Sequence, residues 1–137
     1  MRRNMFALLI LGFGLLAAIA PAMAHHSFSA EFDNTKQVTK RGFVTKIEWT
    51  NPHVWFYLNV IDEATGKATK WGFEMGPPHG LQGSGWTRET MKIGDEVIVN
   101  GSLAKNGSNN VNARNVVLAK TGKKMGAASS EGQPDQQ

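Results

Sequence analysis

His53-Val54-Trp55-Phe56-Tyr57-Leu58-Asn59-Val60-Ile61 is the stretch whose reading decides the fold. Val54, Phe56, Leu58 and Val60 alternate with His53, Trp55, Tyr57 and Asn59. That period of two is the pattern of a strand with one face on a core. Both flanks punctuate it. Thr50-Asn51-Pro52 breaks what comes before, because Asn-Pro favours a turn and proline has no N–H to give to a ladder. Asp62 to Lys67 then turns the chain around Gly66.

Working outward, Gly42 to Trp49 is read as a first strand, with Phe43, Ile47 and Trp49 on one face and Val44, Lys46 and Glu48 on the other. Ala68 to Met75 is a third, with Trp71, Phe73 and Met75 on one side. Gly76 to Gly85 (GPPHGLQGSG) is read as a loop on its glycine and proline content. Thr87 is an N-cap for a short helix through Met91, with Glu89 in its first turn. Glu96 to Leu103 is a fourth strand and Val111 to Leu118 a fifth. Between them KNGSNN (Lys105 to Asn110) has hairpin-turn chemistry, since Asn-Gly tolerates positive φ. Five short strands with one brief helix between the third and fourth is the element order of an OB-fold, a small Greek-key barrel. The expected class is therefore all-β, a five-stranded OB-like barrel. A five-stranded sandwich and an SH3-like barrel are the alternatives, and closure would remove the exposed edges that short strands otherwise leave.

The ends have a different character. Arg2 and Arg3 precede an apolar run from Met5 to Ala20, and Ala22-Met23-Ala24 offers small residues where a signal peptidase cuts. Residues 1–24 thus read as a cleavable export signal. The run is shorter than the ~20 residues needed to span a bilayer, so no membrane insertion is expected after cleavage. Its removal takes away two arginines and no acid, lowering the net charge from +4 to +2. So balanced a chain is a poor match for a nucleic-acid surface. Residues 25–37 read as an N-terminal arm, 38–119 as the barrel and 120–137 as a disordered tail, on their Gly, Ser, Lys and Gln content. The expected compartment is the periplasm. With no cysteine in the chain, the core must hold the domain without disulfides.

The chain resembles a family of small exported bacterial proteins known only as a domain of unknown function. The resemblance rests on HHSFSAEFD (His25 to Asp33), EWTNPHVW (Glu48 to Trp55), WGFEMGPP (Trp71 to Pro78), GWTRETMKIGDEV (Gly85 to Val97) and NARNVVLA (Asn112 to Ala119). It implies export and a small β-barrel, and it carries no activity.

The chemistry must come from the residues. Cleavage after Ala24 would make His25 the terminus, whose amine and imidazole can chelate one metal ion, with His26 adjacent. Nitrogen-rich tetragonal sites of this kind suit copper(II), and imidazole also suits zinc and nickel. His53, beside a turn, and His79, in the Gly-rich segment, are the other candidate ligands. Glu31, Asp33 and Glu48 are candidate carboxylates, and the spacing selects none of them. The bland alternative is a solvated signal junction and a His53 bonded to loop backbone. Trp55 and Tyr57, with Trp86, form a candidate aromatic face for an oligosaccharide, peptide or protein partner. Burial of that face under the N-terminal arm with Phe28 and Phe32 is the competing reading. No enzyme is expected: no cysteine nucleophile exists, Ser84 lacks a nucleophile-elbow context, and the carboxylates are scattered. The intact mass of the exported protein is expected to correspond to His25–Gln137, and a mass that retains residues 1–24 would refute the cleavage.

Overall fold

The computed structural model describes residues 27–127. Residues 1–26, with the expected signal, His25 and His26, and residues 128–137 lie outside the described ones. The elements are α1 (Ser27–Glu31), β1 (Phe32–Glu48), β2 (Trp55–Ile61), β3 (Ala68–Glu74), α2 (Pro78–Gly83), β4 (Glu96–Ala104), β5 (Asn110–Leu118) and β6 (Lys123–Gly126). The fold is all-β, with six strands where five were expected.

The alternation along β2 decides the inside. Val54, Phe56 and Leu58 are fully buried, while Trp55 and Tyr57 are half-buried on the other face. Phe56 stacks on Phe73 of β3 at a centroid separation of 5.1 Å. On β1 the expected grouping of Phe43 with Ile47 is corrected. Val44 faces the core opposite Leu58, and Phe43 is 47% exposed. The register shifts between Val44 and Lys46, so Thr45 is an extra residue that two-residue counting cannot see. Its hydroxyl donates to the Tyr57 carbonyl at 3.2 Å. Past this bulge Ile47 returns to the inner face opposite Phe56.

The length of β1 lets it serve two partners. It pairs with β4 from Phe32 to Phe43 and with β2 from Gly42 to Glu48. Gly42 belongs to both ladders, and a Cβ there would stand 2.4 Å from the Asn59 carbonyl oxygen, so only glycine fits the crossing. β2 pairs antiparallel with β3 and β4 with β5, while β3 and β5 run parallel over three pairs, Gly72–Asn110, Phe73–Val111 and Glu74–Asn112. The ladders therefore run β1-β2-β3-β5-β4 and back to β1.

The helix lies earlier than expected. Pro78 stands in the first turn of α2, where a missing N–H costs nothing and the fixed φ suits a helix, so proline here starts structure. Thr87–Met91 forms a turn instead, with the Thr90 N–H on the Thr87 carbonyl. Leu81, Trp86 and Met91 from this region are all buried in the main core.

Residues 120–127, expected in a disordered tail, carry β6. It pairs with Asn115–Leu118 of β5 beyond the stretch that β3 occupies. Met125 and Ala127 enter the core, the Trp86 indole donates to the Gly126 carbonyl at 2.6 Å, and the Gly76 N–H donates to the Ala127 carbonyl. Two apolar residues in a polar stretch are too few to show a period. Met125→Ala is expected to cost about 2–4 kcal/mol by the usual large-to-small penalty. Deletion of residues 120–137 is expected to abolish cooperative unfolding. Urea melts followed by tryptophan fluorescence check both, and an unchanged midpoint would make β6 dispensable.

Candidate functional site

The pairings line up an outer-face row. Glu48 of β1 opposes Trp55 of β2, Trp55 opposes Glu74 of β3, and Glu74 opposes Asn112 of β5. Directly opposed residues share a face of a sheet. His53 enters just before β2, in the segment where the Val54 N–H donates to the Gly76 carbonyl and the Met75 N–H to the Val54 carbonyl. These bonds fix the backbone on either side of a contact between His53 Nδ1 and a Glu74 carboxylate oxygen. Glu74 is only 7% exposed, so this carboxylate sits in a setting where it must be paired. The His53 side chain keeps 27% of its surface, and its Nε2 makes no hydrogen bond among the described residues. An imidazole held at Nδ1 by a carboxylate presents Nε2 in a set direction.

Two residues on, Trp55 and Tyr57 stack at 6.5 Å with their planes 24° apart. Gly72, opposite Tyr57, makes room: a Cβ there would meet the Asn110 Oδ1 at 2.5 Å and the Tyr57 ring at 3.3 Å. Lys46 and Lys70 lie 5.4 and 4.9 Å from the Tyr57 ring centre. The N-terminal segment covers part of this face. Phe28 stacks on Phe32 at 5.8 Å, and these two with Ala104 form a small apolar cluster against which Trp55 packs. A cleft of about 270 Å³ remains between α1 and the β4–β5 turn, bounded by Glu31, Trp55, Asn106 and Asn110.

The family enters at this point. A family model described as a family of unknown function, DUF6152, matches residues 14–113. The chain belongs to DUF6152. No curated protein and no solved structure matches it. The span matched to DUF6152 contains His53, Trp55, Tyr57, Glu74, His79 and Trp86, and it stops inside β5.

Of the residues singled out from the sequence, the structure joins His53 to Glu74 and Trp55 to Tyr57. His79 is exposed on α2. His25 and His26 lie outside the described residues, and among those described no cluster of three or more His, Asp or Glu side chains is placed to hold a metal. Trp86 is 1% exposed with its indole N–H committed to Gly126, so its ring offers no ligand surface. Among the carboxylates, Asp33 receives the Thr35 N–H and hydroxyl, and Glu31 is exposed. Glu74 was not singled out, although the hairpin count gives it. Ile61 opposite Ala68 puts Trp55 opposite Glu74, on the face away from Phe73.

Glu48 closes the row. It pairs with Lys46 and accepts from the Tyr57 hydroxyl at 3.0 Å, and Lys46 first and then Tyr57 hold its carboxyl below the usual range. Burial first, and then this hydrogen bond to Glu48, pushes the Tyr57 phenol above the usual tyrosine range. A raised phenol favours the folded state below the ordinary tyrosine value near ~10, and that contribution is lost as pH rises through the folded value. Tyr57 is the single tyrosine of the chain, so phenolate absorbance reports it alone. An alkaline titration is expected to place it above free tyrosine, and Glu48→Gln to bring it back down. An unshifted wild-type midpoint would contradict the arrangement.

Proposed function

We propose that this DUF6152 chain is an exported, periplasmic, non-enzymatic binding or accessory module on an OB-like barrel, and that it binds copper(II). The ligands would be the amine and imidazole of a mature N-terminal His25, with His26 and His53; His79 on α2 is the remaining imidazole. Support for the barrel comes from the circuit β1-β2-β3-β5-β4-β1, with the helix following β3. The observation that carries the metal reading is the His53 Nδ1–Glu74 contact, a carboxylate partner of the kind that orients metal-binding imidazoles. Reach supports it as well. The cluster of Phe28, Phe32 and Ala104 packs on Trp55, two residues from His53, and His25 lies three residues before Phe28. At ~3.3–3.6 Å per residue, an extended chain keeps His25 within roughly 11 Å of the Phe28 backbone.

The natively exported protein is expected to bind Cu(II) close to one per chain by calorimetry, with a tetragonal nitrogen signature in electron paramagnetic resonance. His25→Ala is expected to lose most of the affinity, and Glu74→Gln about 10–100-fold. Undiminished binding by protein carrying an extra residue ahead of His25 would rule out the N-terminal chelate. The stacked, half-exposed Trp55–Tyr57 pair and the cleft beside it favour a second reading. In that reading the same face takes an oligosaccharide, peptide or protein partner without metal. It predicts a ligand-induced tryptophan fluorescence change that survives a chelator.

A further inference from the structure

Lys40 is a charge on an inward-facing strand position. It opposes Val99, which is fully buried, and so shares the inner face of the β1–β4 ladder. Its ammonium lies 4.1 Å from the ring centre of Trp71, which itself opposes buried Leu58. Among the described residues Lys40 makes no ion pair, and its Nζ makes no hydrogen bond. The residue borders a cleft of about 420 Å³ with Trp71, Val60, Ile61, Thr69 and Asn109. That cleft opens at the β2–β3 turn end of the ring of strands, while α2 follows the opposite end of β3.

The cleft has an apolar floor and one uncommitted inward charge. Trp71 and Val60 pack on the main core beneath it, and Ile61 stands half-exposed at its rim. The neighbouring charges have other work. Arg41 is bonded to Glu96 at 2.7 Å, and the Asp62 carboxylate receives the N–H groups of Ala64 and Thr65 at 2.9 Å each. Glu63 is exposed at the edge. An ammonium resting on an indole face is weakly held compared with one bonded to a carboxylate, because charge-assisted hydrogen bonds are the stronger kind. A carboxylate can therefore draw Lys40 off the ring, and an apolar body can take the vacated indole face. The volume falls within the range of small-molecule sites.

We propose that this end of the ring binds a small monocarboxylate with an apolar body, its carboxylate on Lys40 Nζ and its body against Trp71 and Val60. The site shares no residue with the proposed copper ligands, so either reading can fail without the other. Benzoate is the probe and neutral benzamide its control, followed by NMR on the protein as the cell exports it. Saturable shifts are expected in the Val60, Ile61 and Thr69 amides and the Trp71 indole N–H. Benzamide and Lys40→Met are each expected to weaken binding at least tenfold, Lys40→Arg to retain it, and Arg41→Gln to leave it within twofold. The proposal is overturned by equal binding of benzamide, by undiminished binding to Lys40→Met, by a loss that follows Arg41, or by no shifts up to about 20 mM benzoate. Should Lys40→Met fail to fold, the benzoate–benzamide comparison on the unaltered protein still decides it.

Discussion

The pairing of Gly72, Phe73 and Glu74 with Asn110, Val111 and Asn112 is the contact on which the other ladders depend. Every other strand pair is antiparallel, and β1–β2, β2–β3, β4–β5 and β5–β6 each join strands that follow one another in the chain. Without the β3–β5 step the sheet would leave β3 as an open edge, a template for pairing with another chain. With it, the inner side chains of five strands converge, and Phe73 and Val111 meet in the core at the seam itself. The seam is short because β5 then diverges, and the rest of its edge goes to β6.

The same seam builds the outer face. Glu74 lies between Trp55 on β2 and Asn112 on β5, and this position keeps its carboxylate almost out of water. A buried carboxylate needs a charged or hydrogen-bonding partner, and His53 supplies one as it enters β2. The N-terminal segment adds the Phe28–Phe32 stack over Trp55 and Ala104. Closure and a shielded acid thus come from one arrangement of strands, to which the segment before β2 adds the imidazole and α1 with Phe32 the apolar cover.

Much of this was legible in the residues. The inner face of β2 followed from the alternation of Val54, Phe56 and Leu58, and the β4–β5 turn from Asn106-Gly107, where Gly107 has a φ of 79°. What escaped has physical causes. Thr45 adds one residue without changing composition, so it reverses a face that period-two counting had assigned. Pro78 looks like a helix breaker unless its place in the first turn is known. Met125 and Ala127 are too few to make a period, and only the Trp86 indole and the edge of β5 explain why they order. Glu74 was recoverable by counting across the β2–β3 hairpin, but its pairing with His53 depends on a turn geometry that the sequence does not encode locally. The candidate site was half visible. His53, Trp55 and Tyr57 stood out by type, while Trp86 stood out for the wrong reason, being large and buried.

The position of β6 also bears on how the chain is made. The residues that satisfy the Trp86 indole and the Gly76 N–H are Gly126 and Ala127, near the end of the described chain. β6 comes after every other described strand in chain order, so the carbonyls of Gly126 and Ala127 are added to groups that earlier segments have already placed. The order of elements along the chain thus separates the strands that form the ring from the strand that covers Trp86.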